Sequence, residues 1–347
     1  MYKISGITWT TFHILRYRIV WKGILGDMDR EIYIEKEILG LFPENMRAQW
    51  TEVAMCGRKL QEIRLRSGQP VVLYLGQKEC FLRNDGKLTY EKKEAYCITK
   101  RELENMMQHI CKYSMYAFED ELKQGFVTVP GGHRVGIAGQ VVLREDGTIR
   151  NIKHIAYINI RISHEIIGAA DRVLPYLYRN GQLLNTMIIS PPGCGKTTML
   201  RDLIRQISNG NRYGKGRTVG VVDERSEIAG SYYGEAQNDV GMRTDILDGC
   251  PKVMGMMMLI RSMAPKVVAV DELGCSADMT ALEEVLQCGS NVIATIHGNH
   301  IADICSKSFL RTMLNEKVFK RFILLEKREG KCVIEGIYNE DYVKFLK

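Results

Sequence analysis

The sequence predicts an α/β chain in which a parallel sheet with helices on both faces follows a smaller α+β module. Three patterns carry that expectation. After residue 185, short apolar runs rich in β-branched residues alternate with helical periodicity; the first run leads through a glycine-rich loop straight into a helix; and the earlier half mixes two helical stretches with short alternating strands. The 347 residues suit about two domains, and a hydrophobic content of 45% is ample for their cores.

Residues 1–27 stand apart. A secretory signal carries its charges before its apolar core, whereas here the apolar-leaning stretch from Ile4 to Leu15 precedes Arg16, Arg18 and Lys22. A membrane-surface anchor is one reading of that mixture. The reading adopted is a translation-start extension or a disordered segment, because Met28 opens an acidic-first amphipathic helix suited to a natural N-terminus.

The α+β module is expected over residues 28–165. A helix near 30–55 leads to strands at 62–65 and 71–75 and a hairpin around Asp85-Gly86. A second helix at 100–113 follows from the spacing of Leu103, Met106, Met107 and Ile110. Strands at 125–129, 134–143 and 157–162 are punctuated by Pro130-Gly131-Gly132 and Asp146-Gly147. No catalytic motif lies in this half. A connecting helix at 167–182, ending at Gly181, is expected to open the second domain, residues 166–347.

In that second domain the apolar run Met187, Ile188, Ile189 leads into Ser190, Pro191, Pro192, Gly193, Cys194, Gly195, Lys196, Thr197 and Thr198, and the helical pattern Met199, Leu200, Leu203, Ile204, Ile207 follows. Strand, glycine-rich loop and helix in this order make a phosphate-binding P-loop. Glycines let successive N–H groups turn inward, and the helix N-terminus adds its positive dipole end. Lys196 is placed to reach β- and γ-phosphates, and the Thr197 hydroxyl to hold Mg²⁺. The usual pattern opens with a glycine where this chain has Ser190, so the match is one residue short. A chance lysine in a glycine-rich turn would lack the strand before and the helix after.

Further strands are expected at 218–222, 266–270 and 291–296, each ending in polar residues: Asp223, Glu224 and Arg225; Asp271 and Glu272; Thr295 and His297. Ligands of open α/β sheets sit outside the carboxyl ends of the strands, so these residues are expected to converge on the loop. Asp271 suits the metal-binding carboxylate and Glu272 the general base or water-orienting group. One strand lies between loop and acidic pair in the chain, the order of hydrolysing, motor-type NTPases rather than GTP switches, and no Asn-Lys-x-Asp guanine signature occurs. Asp223, Glu224 and Glu227 suit water positioning or a sensor network, and an acidic loop in solvent reads the same way. His297 suits a γ-phosphate sensor; a lone strand-end histidine is also a common structural residue. Met254, Met256, Met257, Met258 and Met263 form an apolar helix expected to pack in the core, with a partner groove as the lesser option.

Composition narrows the class. The ten cysteines are scattered with no C-x-x-C pair, which argues against a zinc site or a disulfide framework and fits a reducing cytosol. No apolar run approaches the roughly 18 residues of a membrane helix. A net charge of +7 permits contact with anionic surfaces without demonstrating nucleic-acid binding.

The motifs together resemble the stage III sporulation protein AA family. The P-loop, Val221-Val222-Asp223-Glu224-Arg225-Ser226-Glu227-Ile228-Ala229-Gly230, Asp239-Val240-Gly241-Met242-Arg243-Thr244-Asp245, the segment 257–274 and Ala294-Thr295-Ile296-His297-Gly298 carry the likeness in the second half. Glu62-Ile63-Arg64-Leu65-Arg66-x-Gly68-x-Pro70, Gly131-Gly132-His133-Arg134-Val135-Gly136 and Asn159-Ile160-Arg161-Ile162 carry it in the first. The family is in turn similar to the ATPases of type II and type IV secretion and of pili, with an acidic box as at Asp223 to Glu227 and a His box as at His297.

The resemblance implies a RecA-like P-loop ATPase domain using ATP and Mg²⁺. It also implies a homo-oligomeric, hexameric ring at the cytoplasmic face of a membrane channel between mother cell and forespore. The implied partners are membrane proteins of the same stage III operon; nucleic acid is not expected. Arginine fingers in such rings stabilise γ-phosphate charge. By similarity to secretion ATPases the N-terminal module supplies them, with Arg134 and Arg161 the first candidates and Arg225, Arg243 and Arg261 next; a salt bridge or domain contact is the competing role for each. Two other functions stand beside the motor: a nucleic-acid translocating or remodelling ATPase, which Arg64 and Arg66 would suit, and a nucleotide-binding scaffold with little turnover.

Overall fold

In the first unit of the chain, Pro43 splits the single helix expected near residues 30–55. Its ring has no N–H to donate and pushes the preceding residue out of the helical region, so α1 (Asp27–Gly40) and α2 (Arg47–Met55) flank a turn. Phe42 and Trp50, both fully buried, stack with ring centroids 3.9 Å apart. The computed structural model describes residues 27–114, 118–328 and 331–346, and divides into two units that part after His164. The extension expected at residues 1–27 lies outside the described residues except for Asp27, which opens α1.

Seven strands follow in this unit: β1 (Leu60–Arg66), β2 (Val72–Leu75), β3 (Lys78–Leu82), β4 (Leu88–Thr89), β5 (Phe126–Val129), β6 (His133–Leu143) and β7 (Ile149–Arg161). They form one antiparallel sheet in the order β4-β3-β2-β1-β7-β6-β5. Burial alternates along them, at Ile63 and Leu65, Val127 and Val129, and Ile158 and Ile160, as one covered face requires. Helix α3 (Lys100–Ile110) starts at a Thr99–Glu102 capping box and buries Leu103, Met106, Met107 and Ile110; with α4 (Glu119–Lys123) it packs on β7. The strand expected at 157–162 is the inner end of β7, whose pairing with β6 continues out to the Asp146-Gly147 turn.

The second unit opens with a correction. No helix spans 167–182. Bonds such as Asp171 N–H to Gly168 O and Val173 N–H to Ala170 O wind the chain in tight i→i−3 turns. Asn180 and Gly181, at φ of 52° and 73°, then turn the hairpin of β8 (Tyr178–Arg179) and β9 (Gln182–Leu183). Ala170, Val173, Leu174 and Leu177 are all buried in one core, so consecutive tight turns satisfy the spacing that suggested a helix.

Eight strands make the main sheet: β10 (Thr186–Ser190), β11 (Val219–Asp223), β12 (Thr244–Asp248), β13 (Val267–Val270), β14 (Asn291–His297), β15 (Arg321–Arg328), β16 (Lys331–Asn339) and β17 (Lys344–Leu346). Their order is β12-β11-β13-β14-β10-β15-β16-β17; the first six run parallel and the last two pair antiparallel. Every residue of β10, β11 and β13 is buried, which is why these strands read as unbroken apolar runs. Ile188 and Val221 face the layer of Leu200, Leu203 and Ile207 from α5 (Lys196–Asn209). Met187, Ile189 and Val222 face the opposite layer, built from α6 (Lys252–Ser262) and α7 (Ser276–Gln287). In space β14 lies between β10 and β13, whereas β11 and β12, two strands in the chain where one was expected, lie beyond β13.

The methionine-rich helix α6 is only partly a core element. Met256 is fully buried, but Met254, Met258 and Met263 are exposed, so the expected core role holds for one face alone. Among the described residues no helix is long and apolar enough to cross a membrane. Helix α6 approaches β11 at Gly255, where a β-carbon would stand 2.5 Å from Val222 Cγ1. Gly255→Leu should therefore lower stability by about 1–3 kcal/mol through overpacking, despite a helix-propensity gain of about 1 kcal/mol. Denaturant unfolding measures the change, and a stabilised variant would show that the helix has room.

Candidate active site

The carboxyl ends of β10, β13 and β14 bring their polar residues together. Ser190 ends β10 in regular strand conformation and pairs in register with His297. Its hydroxyl donates to the Pro191 carbonyl at 2.8 Å, and its φ is not positive, so this position has no need of glycine. Left-handed backbone is confined to Gly193 and Gly195, at φ of 68° and 74°. A β-carbon at Gly193 would meet nothing within 4 Å, leaving open space over the loop. Gly195 caps α5, whose first residue, Lys196, is buried.

A hydrogen-bond chain crosses the sheet from this helix. Thr197 Oγ1 donates to Asp271 Oδ2 at 3.0 Å, and Thr295 Oγ1 donates to the other oxygen of Asp271. Thr295 in turn accepts from the Glu272 N–H at 2.8 Å. Glu272 sits at φ 59°, a left-handed conformation costing a non-glycine residue roughly 1–2 kcal/mol. Two tethers hold it there: the Thr295 hydroxyl on its N–H and Lys252 Nζ, which donates to its carbonyl.

Basic side chains surround the Glu272 carboxylate. Lys196 Nζ lies 3.7 Å from it, Arg225 3.7 Å, and His297 Nε2 3.1 Å. Partial burial raises its pKa, but Lys196, His297, Arg225 and Lys252 outweigh that and hold the carboxyl below its ordinary range. Lys196 Nζ is also 3.2 Å from His297 Nε2, and one ring nitrogen serves either the lysine or the carboxylate at a time. His297 Nδ1 is buried without a hydrogen-bond partner among the described residues. Glu224 pairs with Lys252 at 3.5 Å. Glu224, Arg225, Lys252, Asp271, Glu272 and His297 line a cavity of about 270 Å³.

The hard-oxygen pair of Thr197 and Asp271 suits a small divalent cation. The open space over Gly193, the helix N-terminus and buried Lys196 suit a polyphosphate.

Asp223 takes a different place from the other strand-end acids. Its carboxylate accepts from the N–H groups of Glu227, Ile228 and Ala229 at 2.9, 3.0 and 2.8 Å, so it fixes the acidic loop. Arg201, buried on α5, clamps the same loop through the Glu227 and Ile228 carbonyls. Burial pushes Asp223 up to about 6, against the three amides that pull it down.

The candidate arginines scatter. Arg225 is in the site; Arg243 donates to the Ser208 carbonyl at 2.9 Å behind α5; Arg261 is exposed on α6. Arg134 and Arg161 belong to the first unit, directly opposite each other on β6 and β7, with the Arg134 guanidinium 3.5 Å over the Phe126 ring.

Sequence reading missed Lys252. A signal was present: a lysine in the first turn of a helix opposes the helix dipole, and here a carboxylate and a strained carbonyl compensate.

A RecA-like, P-loop α/β architecture is the class these elements define. The ATPase DotB has the same fold: its structures from Legionella pneumophila and Yersinia pseudotuberculosis give TM-scores of 0.56 and 0.55 at 14% and 15% identity, covering 84% and 87% of this chain and 80% and 81% of theirs. The model of the family Sporulation stage III, protein AA matches residues 33–345. Stage III sporulation protein AA of Bacillus subtilis (strain 168) is 40% identical over 306 residues, 88% of this chain and 95% of its own. The chain belongs to the stage III sporulation protein AA family, as its motifs indicate.

The raised pKa of Asp223 has a definite sign. Between about pH 4 and 6 the unfolded carboxyl ionises before the folded one, so this group's contribution to stability falls as pH rises through that window. Two pKa units correspond to about 3 kcal/mol. The stability difference between wild type and Asp223→Asn should shrink by up to that amount from pH 4 to 6.5 and then level off; denaturant midpoints across this range measure it, and a flat difference would place the pKa near its ordinary value.

Proposed function

We propose that this chain is a Mg²⁺-dependent ATPase that works as a ring of copies, a hexamer by similarity to the secretion ATPases. The ring energises a membrane channel complex of sporulation from the cytoplasmic, mother-cell side. Its partners are membrane proteins of the stage III operon. The convergence of Lys196, Thr197, Asp271, Glu272 and His297 at the ends of three neighbouring strands carries this reading.

Phosphoryl transfer asks a protein mainly for positioning and charge stabilisation. The amides from Gly193 to Thr198 and Lys196 would bind the phosphates, and Thr197 and Asp271 would hold the metal. A Mg²⁺ ion held by Thr197 and Asp271 would supply charge neutralisation for the phosphates. Glu272 accepts a hydrogen bond from the attacking water and orients it in line. His297 Nε2 donates to the γ-phosphate. Lys196 has two roles in sequence: it pairs with Glu272 at 3.7 Å, and its transfer to phosphate removes one of the cations that depress Glu272, making the carboxylate a better base. Asp223 positions the loop that carries Glu224, and Glu224 neutralises Lys252. Arg134 and Arg161 serve as fingers, reaching the site of a neighbouring copy in the ring.

Glu272→Gln should lower turnover at least 10²-fold, the range expected for a positioned base, while ATP binding measured by a fluorescent analogue stays within about threefold. Turnover close to wild type would remove Glu272 from its role. Lys252→Met should relax the Glu272 turn and lower kcat roughly tenfold with KM for ATP unchanged, and Lys252→Arg should recover part of the loss. A rise in KM alone would make Lys252 a nucleotide contact instead.

A further inference from the structure

Cys194 lies between the two left-handed glycines of the phosphate loop, is 1% exposed, and packs into the core layer beneath α5. Cys332 reaches it from the opposite direction. It sits near the start of β16, paired with Lys327 of β15, and β15 is the direct neighbour of the strand that feeds the loop. Cys332 Sγ donates to the Gly193 carbonyl at 3.7 Å, and its Cβ and Sγ lie 3.5 and 3.6 Å from where a β-carbon on Gly195 would stand. Burial, with the nearby Cys332 thiol as the lesser cause, pushes Cys194 up to about 11. Cys332 is exposed. A solvent-accessible thiol therefore lies against the backbone of the two glycines that flank a buried thiol in the phosphate loop.

We infer that Cys194 and Cys332 are a redox modification site: hydroperoxides close them into a reversible disulfide that clamps the phosphate loop and lowers its affinity for nucleotide. The affinity half of this inference rests on the P-loop reading above; the disulfide half does not. The chemistry balances in two steps. The exposed Cys332 thiol attacks the peroxide oxygen, giving a sulfenic acid and releasing an alcohol, or water from hydrogen peroxide. The Cys194 sulfur then displaces hydroxide from the Cys332 sulfur, and with the thiol proton this leaves as water. The low thiolate fraction of Cys194 is offset by the position of Cys332 beside its two flanking glycines. An external thiolate reverses the bond by attacking the Cys332 sulfur, with Cys194 leaving.

Closure acts on the loop through geometry. The S–S bond is about 2.05 Å long, so it would tie the phosphate loop covalently to the start of β16. Gly193 loses the S–H donor on its carbonyl, and the amides between Gly193 and Gly195 shift. A misplacement of about 1 Å is enough to cost on the order of 10²-fold in a positioned site.

The test uses the full chain, treated with hydrogen peroxide, alkylated, and digested without reductant for mass spectrometry. A fluorescent ATP analogue is titrated into reduced, oxidised and re-reduced protein. The expected result is a peptide linking Cys194 to Cys332, at least a tenfold loss of affinity, and recovery with dithiothreitol. Cys332→Ser should bind the analogue like reduced wild type and be insensitive to peroxide. Oxidised protein without the linked peptide overturns the site, and linked protein that binds nucleotide undiminished overturns the regulation. If reduced wild type binds no analogue, the P-loop reading fails, and the linked peptide alone decides the disulfide.

Discussion

The hydrogen bond from Thr197 to Asp271 is the constraint on which the second unit's site depends. It joins the first turn of α5 to the end of β13 across an intervening strand, at 3.0 Å. That distance is available only because β14 separates β10 from β13 in a parallel sheet whose polar ends all emerge on one side. Thr295, two residues before the end of β14, completes the link by serving both Asp271 and the Glu272 amide. These strand ends aim Glu272 and His297, while Lys196 comes from α5, Lys252 from α6 and Arg225 from the loop after β11.

Electrostatics then separates acids that look alike. Asp223 and Glu272 both follow apolar strands, yet one is buried and the other lies in a cavity. Burial raises Asp223, which spends its oxygens on three backbone amides. Four basic side chains depress Glu272, whose backbone is strained and whose carboxylate faces open space. The first arrangement suits a scaffold and the second a reacting group, because an ionised, exposed oxygen can accept a hydrogen bond that a saturated one cannot.

Much of this was legible from local chemistry. Gly193, Gly195 and the apolar runs on either side announced the loop, since only a strand entering a helix through left-handed glycines produces that pattern. Asp271-Glu272 after four buried residues marked the strand end, and His297 and Thr295 did the same for β14. The first glycine of the usual motif is dispensable because Ser190 still belongs to the strand. Elsewhere local patterns misled. Ala170, Val173, Leu174 and Leu177 carry helical spacing but lie on tight turns, because the core they fill constrains side-chain positions and not the hydrogen-bond ladder. The exposed methionines of α6 share composition with Met256 but not its face.

The sequence by itself determined the class of chain, the loop, the acidic pair and the family, because each rests on chemistry within a few consecutive residues. Tertiary structure alone decided which acid is free and which is bound, that Lys252 reaches Glu272 from the far end of another helix, that Cys332 touches the phosphate loop from a distant hairpin, and that β14 rather than β11 lies between the loop strand and the acidic strand. Those are pairings between segments up to more than a hundred residues apart, and no local periodicity encodes which strand ends, helices and hairpins come to share one edge of a sheet.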